Sequence, residues 1–275
     1  KCGISFGWDC SDRRECKEID RDNSVNWILF ALAGSIAQLI DGALGMGFGL
    51  TSSTLLLTLG ASAAVASAAV HAAEIGTTLA SGVSHWHAEN IDRWILLRLA
   101  IPGGIGAAAG ATFLSSIDLS NAKIFISTLL LLLGGLLLYR NLFQPEVQAD
   151  VSEISNPRYL TFLGFTGGFI DASGGGGWGP IVTPTLLATT KAEPRKIIGT
   201  VSASEFIVAL CASFGFLINI SRLDIDWSVV GGLALGGVLM APISAKLIGW
   251  LPRKQLGISI AVAIILINAL RLVGN

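Results

Sequence analysis

The sequence predicts an all-α integral membrane protein built from two inverted-topology repeats of about five segments each, with broken helices at glycine-rich loops. Three observations lead to this prediction: the composition, a succession of charge-free apolar segments and an internal duplication. Of the 275 residues, 52% are hydrophobic and only 13% are charged. Soluble domains carry about 25% charged residues. We therefore expect a multi-pass protein of the cell (inner) membrane, with the lipid bilayer as a partner.

Residues 1–24 form a separate polar segment that carries Cys2, Cys10 and Cys16. It contains no apolar stretch of the kind that a signal peptide requires. The cysteine spacing matches no zinc signature, so one disulfide, a metal or unpaired thiols all stay open. A net charge of −1 and the absence of basic clusters argue against a nucleic-acid partner.

The first repeat is assigned to residues 25–142 and contains five apolar segments. Residues 25–40 carry no charge and cover most of the roughly 20 residues that a membrane crossing needs. Asp41 and a glycine-containing interruption follow. The later segments are a short one at 50–59 and longer ones at 61–84, 94–114 and 122–138. A polar linker at 143–157 then leads to the second repeat at 158–275.

The second repeat matches the first in its unusual residues. An offset of 130 places Asp41 on Asp171, and an offset of 131 places Glu74 on Glu205. If each short segment crosses the membrane, a repeat has five crossings and the second copy is inverted relative to the first. If the short segments are re-entrant, each repeat crosses four times and the copies are parallel.

Positive charges give the expected orientation. Most of the arginines and lysines of the segment joints, such as Arg93, Arg140 and Arg158, fall on one side of the predicted topology. Short cytoplasmic loops carry an excess of Lys and Arg. That side is therefore predicted to be cytoplasmic, and both termini are predicted to be extracytoplasmic.

Residues 171–180, with the sequence DASGGGGWGP, interrupt a long apolar run. A helix that stops and restarts at membrane depth presents free N–H groups and a positive dipole end, which suit an anion. A tight helix crossing that needs small residues is the alternative explanation. We expect this loop and its copy at 41–49 to meet and enclose one substrate site. The expected binding residues are Gly45, Gly47, Phe48, Gly49, Thr51, Ser52, Gly175, Gly176, Gly177, Trp178, Gly179 and Thr183.

Phe48 and Trp178 are equivalent aromatic residues, each flanked by glycines. One interpretation is a pair that shapes or gates the pocket, with the indole N–H as an additional donor. The other is that each ring fills core space that the glycines leave. The sequence does not decide between them.

Acidic residues inside apolar segments are costly and often functional. Asp41, Glu74, Asp171 and Glu205 are such residues, and His71 lies one helical turn before Glu74. We expect these five residues to couple transport to protons. The structural alternative is that the aspartates cap helices and the glutamates bind nearby hydroxyls such as Ser202.

The sequence lacks the hydrolase, zinc-protease and nucleotide-binding motifs of common enzymes, so we expect no enzymatic activity, no cofactor and no metal. A membrane scaffold or sensor that transports nothing remains an alternative, as does a carrier of another small anion.

The glycine loops resemble those of the sulfite exporter TauE/SafE family, in which each of two repeated modules carries a glycine-rich loop ending in proline. Gly168, the run 174–177 and Pro180 match that loop, whereas the first repeat keeps only Gly45, Gly47 and Gly49. The resemblance implies a secondary transporter that acts as an exporter. Its implied substrate is a small sulfur-containing anion, sulfite or an organosulfonate such as sulfoacetate.

Overall fold

The computed structural model describes residues 27–41, 46–117, 119–143, 156–189, 194–218, 223, 225–247 and 253–273. These residues form helices and no strands, which confirms the predicted all-α class. The described helices of the first half are α1 (Trp27–Asp41), α2 (Phe48–Thr58), α3 (Ala63–His87), α4 (Arg93–Ser116) and α5 (Leu119–Phe143). Those of the second half are α6 (Pro157–Gly174), α7 (Trp178–Thr189), α8 (Pro194–Ile218), α9 (Trp227–Leu247) and α10 (Arg253–Val273). The cysteine-bearing segment 1–24 and most of the predicted linker lie outside the described residues.

Helix starts follow the local sequence. The Asp92 carboxylate accepts hydrogen bonds from the N–H groups of Trp94 and Ile95 at 2.9 and 3.1 Å, and so begins α4. Asn156 does the same for α6, where Pro157 occupies the first helical position. Proline suits that position because the N–H it lacks would be unbonded there.

Four of the described helices are long and apolar enough to cross a membrane: Ala63–His87, Arg93–Ser116, Ala122–Phe143 and Lys196–Leu217. Shorter apolar helices are Trp27–Asp41, Phe48–Thr58, Trp227–Ala241 and Gly257–Val273. At a rise of 1.5 Å per residue, α2 with its 11 residues is about 16 Å long. A bilayer core is about 30 Å thick, so α2 alone is too short to cross it.

The two halves pack against each other through matching helix pairs. The most extensive contact is between α4 and α6, and α1 contacts α9 in the corresponding way. Glycines make both contacts close: Gly164 and Gly168 lie against the backbone of Leu99 and Gly103, so α4 and α6 run parallel. Small residues allow such backbone approach between membrane helices.

Equivalent helices of the two halves run in opposite directions. In the pair α3 and α8, Gly82 lies beside Ala203, whereas the ring of His71 lies 6.1 Å from that of Phe216. The C-terminal part of α3 thus packs against the N-terminal part of α8, so the two helices are antiparallel. Antiparallel equivalents are expected of inverted copies and not of parallel copies. The contacts therefore support the inverted arrangement, although α2 by itself is too short for the fifth crossing from which inversion was predicted. Inversion relative to the bilayer remains a prediction.

Candidate functional site

The two helix breaks are in direct contact. Gly176, in the break between α6 and α7, lies so close to Gly49 that a Cβ atom on Gly49 would be 2.5 Å from the Gly176 Cα. The Ser53 hydroxyl donates to the carbonyl of Gly175 across the same contact. Gly175 and Gly176 have φ values of 72° and 139°, which favour glycine over other residues. The glycine run thus permits both the sharp turn and the close approach.

A carboxylate already occupies the N-terminus of each restarting helix. Asp171 Oδ1 accepts hydrogen bonds from the N–H groups of Gly177 and Trp178 at 2.6 and 2.9 Å. Asp41 Oδ1 accepts from the Phe48 N–H at 3.4 Å. The capping role considered for both aspartates is therefore present in the structure. It means that the N–H groups expected to hold an anion are bonded to the protein's own carboxylates.

His71 joins the two halves behind the breaks. Its Nδ1 lies 2.8 Å from the Ser67 carbonyl oxygen, and its Nε2 lies 3.1 Å from Asp171 Oδ2. The Ser67 hydroxyl donates to the carbonyl of Ala172 at 2.6 Å. All of these groups are buried. The set made of Ser67, His71 and Asp171, which we name the brace, therefore links α3 to the end of α6.

Hydrogen bonding indicates where the protons of the brace lie. A carbonyl oxygen can only accept, so His71 Nδ1 must carry a proton. Asp171 Oδ1 accepts two N–H bonds, which favours an ionised carboxylate. His71 Nε2 faces the other oxygen of that carboxylate, and with the carboxylate ionised the bond requires a proton on Nε2. The brace is therefore best described as an imidazolium paired with a carboxylate.

A narrow polar cavity lies beside the meeting of the breaks. It is lined by Gln38, Asp41, Phe48, Glu74, Thr77, Thr78, Ser81, Ser202 and Glu205. Three of these side chains are carboxylic acids, and none is Lys, Arg or His. The free volume is about 10 Å³, which is room for about one water molecule. The cavity is therefore acidic and too small for an oxyanion in this conformation.

Glu74 is the most deeply buried acid of the cavity. It is 2% exposed, and its Oε2 has no hydrogen-bond partner within the described residues. The hydroxyls of Thr77 and Thr78 donate to the Glu74 backbone carbonyl, at 3.4 and 2.5 Å, and not to its carboxylate. The structural role considered for Glu74, bonding to nearby hydroxyls, is therefore absent among these threonines.

Most of the polar lining belongs to the first repeat, and α8 of the second repeat contributes only Ser202 and Glu205. Thr77, Thr78 and Ser81 lie on the cavity face of α3, whereas the offset of 131 places Val208, Ala209 and Ala212 at the equivalent positions of α8. All three of those α8 residues are apolar. The two breaks are nearly symmetric. The polar cavity beside them is asymmetric, because most of its lining comes from the first repeat.

Phe48 and Trp178 differ in the same way. Phe48 lines the cavity. Trp178 is fully buried, packs against Gly103 and Gly167, and donates its indole N–H to the Val201 carbonyl at 3.2 Å. The structure thus places Trp178 where a core aromatic fills the space left by glycines, and places Phe48 where a gate would lie.

The other predicted binding residues surround the breaks. Gly47 caps α2 with a φ of 130°, and the Thr51 hydroxyl donates to its carbonyl at 2.6 Å. Ser52 and Thr183 are buried hydroxyl residues with no hydrogen-bond partner in the described parts of the chain. Gly179 is buried in the first turn of α7. Gly45 lies outside the described residues.

His71, Glu74 and Asp171 also meet the distance requirement of a metal site. One ligand atom from each lies within 4.8 Å of the others, with His71 Nε2 at 4.0 Å from Glu74 Oε2. Imidazole and carboxylate are common ligands of transition metals. However, the 3.1 Å hydrogen bond between His71 and Asp171 already uses two of the three ligand atoms. The expectation of no metal stays a prediction.

Sequence reasoning missed several residues of the site. Thr77, Thr78 and Ser81 follow Glu74 at intervals of three, four and seven residues, which is the spacing of one helix face. That periodicity could have identified them. Gln38 gave a weaker signal as an amide within apolar α1. Ser67 gave none, because only the contact between the halves brings it to the breaks. Ser53, by contrast, follows the first break in a run of hydroxyl residues, 51–54, which the sequence already indicated as lining the site.

Comparisons with known proteins agree with this architecture. The chain is 47% identical over 249 residues to the "Probable membrane transporter protein YtnM" of Bacillus subtilis (strain 168), covering 90% of this chain and 83% of that protein. No solved structure matches the chain. The model of the family "Sulfite exporter TauE/SafE" matches residues 30–271, which is nearly the whole chain. This protein is a multi-pass membrane transporter that belongs to the sulfite exporter TauE/SafE family.

Proposed function

We propose that this protein is a secondary transporter of a small sulfur-containing anion, sulfite or an organosulfonate such as sulfoacetate, and that protons are the coupling ion. The anion class and an outward direction are supported by the description of the family. The observation that carries the mechanism is the contact of the two helix breaks beside a cavity lined by three carboxylic acids.

The acids explain why protons would accompany the anion. Two like charges 5 Å apart repel by about 3 kcal/mol at an effective dielectric constant of 20. An anion entering the cavity would meet Asp41, Glu74 and Glu205 together, with no cationic side chain in the lining. His71 lies 4.0 Å from Glu74 Oε2 but is already paired with Asp171 at 3.1 Å. Protonation removes this repulsion and turns each acid into a hydrogen-bond donor. We therefore assign proton coupling to these three residues.

The break of the first repeat is the better place for the anion. Asp41 lines the cavity, and its bond to the Phe48 N–H is long, at 3.4 Å. Protonation of Asp41 would weaken this bond and free the N-terminus of α2. The equivalent break at α7 is held by Asp171 through two shorter bonds and by His71. We therefore propose that the anion binds at Gly47, Phe48 and Gly49, and that the α7 break is structural.

Transport requires the cavity to widen. A free volume of about 10 Å³ cannot hold sulfite, so the described conformation corresponds to a closed state. Phe48 is the first residue of α2 and lines the cavity, and it is the residue we assign as the gate. Movement of one repeat against the other would open the cavity to each side in turn, as in other carriers of this kind.

Uptake into proteoliposomes tests the proposal. The purified chain is reconstituted and supplied with sulfite, sulfate, thiosulfate or sulfoacetate, with and without a pH gradient. We expect sulfite or sulfoacetate flux that a pH gradient accelerates. In Glu74→Gln and Glu205→Gln the acceleration should disappear. Glu89→Gln, at an exposed position between α3 and α4, is the matched control and should keep it.

Each part of the proposal has its own contradicting result. No flux of any anion would favour the scaffold or sensor alternative. Flux of a sulfur-free anion in preference to all four solutes would favour a carrier of another small anion. Flux whose pH dependence survives in both glutamine variants would remove these acids from coupling.

A further inference from the structure

A second, larger cavity lies on the outer surface of the protein, away from the breaks. It is a groove of about 610 Å³ along the seam between α4 and α6. Two arginines, Arg98 and Arg158, line it together with apolar side chains that include Ile105, Phe162 and Phe165. Its chemistry is therefore cationic and apolar, which the acidic transport cavity does not share.

The arginines and the apolar side chains of the groove lie at different heights along α4 and α6. Helices α4 and α6 run parallel and begin at the same end, where Arg98 is the sixth residue of α4 and Arg158 the second of α6. Ile105 lies about 10 Å further along α4, at 1.5 Å per residue. The groove thus has two guanidinium groups at one end and an apolar floor that continues away from them.

An exposed tryptophan marks the membrane boundary at the arginine end. The Arg98 guanidinium stacks on the ring of Trp94 at 4.5 Å from its centroid, and Trp94 is 41% exposed. Tryptophan is enriched at the interface between lipid and water. The apolar floor is open to the surroundings, since Ile105 and Phe162 are 61% and 68% exposed. At that depth in the predicted topology, the apolar floor faces lipid chains.

The corresponding seam of the other half lacks the charges. Helices α1 and α9 pack with the same close approach, where Gly236 lies against Ala31. Offsets of 130 and 133 place Ile28 and Gly231 at the positions of Arg158 and Arg98. The shared architecture of the repeats therefore does not require the arginine pair.

We propose that the groove between α4 and α6 binds one anionic phospholipid. Its phosphate contacts Arg98 and Arg158, and an acyl chain lies over Ile105, Phe162 and Phe165. Both arginines lie on the side predicted to be cytoplasmic, where anionic lipids give the membrane surface its negative potential. A free phosphate would leave the apolar floor without a partner. The two helices belong to different repeats, so the lipid contacts both.

Native mass spectrometry tests this site. The full chain, purified in detergent, is titrated with dioleoyl phosphatidylglycerol or with dioleoyl phosphatidylcholine, whose acyl chains are identical. We expect preferential binding of phosphatidylglycerol. Each of Arg98→Gln and Arg158→Gln should weaken its binding about fivefold, and the double variant about 30-fold. Phe162→Ala should weaken the binding of both lipids and leave the preference unchanged.

Arg93→Gln is the matched control. Arg93 begins the same helix, but its guanidinium stacks on Trp86 and it does not line the groove. It should bind phosphatidylglycerol as the unaltered chain does. Equal binding of the two lipids, or an equal loss in Arg93→Gln, would overturn the proposal. Displacement of the lipid by millimolar inorganic phosphate would also overturn it, since that would indicate a site for a free anion. An unchanged melting temperature in the arginine variants shows that they are folded.

Discussion

Asp41 and Asp171 hold equivalent positions in the two repeats, yet their carboxylates have different surroundings. Asp171 accepts two short N–H bonds and pairs with His71, and it is 2% exposed. Asp41 accepts one long bond and lines the cavity. Breaking a buried ion pair by removing one partner is strongly destabilising, because the other charge stays buried. The same substitution at the two positions should therefore have different consequences.

We expect Asp171→Asn to lower the free energy of unfolding by about 3–5 kcal/mol, because the His71 imidazolium would lose its counter-charge. Asp41→Asn should cost about 1 kcal/mol or less, the net worth of one hydrogen bond. It should nevertheless abolish the acceleration of flux by a pH gradient, because an amide cannot exchange the proton. Denaturant titration of the detergent-solubilised protein measures the first effect, and proteoliposome uptake measures the second.

A double-mutant cycle of His71→Gln with Asp171→Asn provides the control. If the two residues form an ion pair, the double variant should be less destabilised than the sum of the single variants, with a coupling of at least about 1 kcal/mol. Additive effects would contradict the brace. Equal destabilisation by Asp41→Asn and Asp171→Asn would contradict the difference between the repeats.

At the scale of elements, α3 and α8 are equivalent helices, but the residues that follow the shared glutamate on the cavity side differ in polarity. The face of α3 that begins at Glu74 continues with hydroxyl residues, and the same face of α8 continues with Val208, Ala209 and Ala212. The cavity lies on the α3 side. Beyond Ser202 and Glu205, which also line the cavity, α8 therefore presents apolar residues where α3 presents hydroxyls. Substrate specificity should therefore depend on α3 more than on α8.

The triple variant Thr77→Val, Thr78→Ala and Ser81→Ala gives α3 the residues that α8 already has. We expect sulfite or sulfoacetate flux to fall at least about tenfold, because hydrogen bonds to charged groups contribute about 1.5–3 kcal/mol each. Thr112→Val, on an exposed face of α4 where the hydroxyl bonds within its own helix, is the control and should transport normally. Uptake in proteoliposomes provides the measurement. Full activity of the triple variant would show that the anion does not use this wall.

At the scale of the whole molecule, the antiparallel contacts of α3 with α8 and of α5 with α10 determine which helix ends share a side. Gly134 lies beside Ile264 and Gly257 beside Asn141, so α5 and α10 are antiparallel. Ala88, at the end of α3, then lies on the side predicted to be cytoplasmic. Asp226, before α9, lies on the opposite side. This arrangement follows from inverted repeats and would differ for parallel ones.

Thiol labelling tests the orientation. In a chain whose four cysteines are replaced by serine, Asp226→Cys should react with a membrane-impermeant maleimide in intact cells. Ala88→Cys should react only after the membrane is permeabilised. Both positions are exposed in the structure, so a difference between them reports the side of the membrane and not burial. Labelling of both in intact cells would contradict the predicted topology, and a reversed pattern would contradict the orientation.

The sequence by itself determined the class of the protein, the helices and the position of the breaks. These properties depend on local features: apolar segments between polar joints, and a glycine run that no stable helix tolerates in its interior. The predicted segment 94–114, for example, matches α4 at Arg93–Ser116. The duplication also identified the four acids, because equivalent acids in apolar segments stand out without any knowledge of contacts.

Only the tertiary structure decided how these residues are used. It placed Asp171 on the helix end that was expected to hold an anion, buried Trp178 against Gly103, and collected Asp41, Glu74 and Glu205 around one cavity. Such outcomes depend on which helix faces pack together. The alignment of the two repeats shows which positions are equivalent, but not which helices are in contact. The physical reason is that a buried carboxylate takes its role from the groups packed around it, such as the N–H groups of its own break and, for Asp171, His71 of the opposite half.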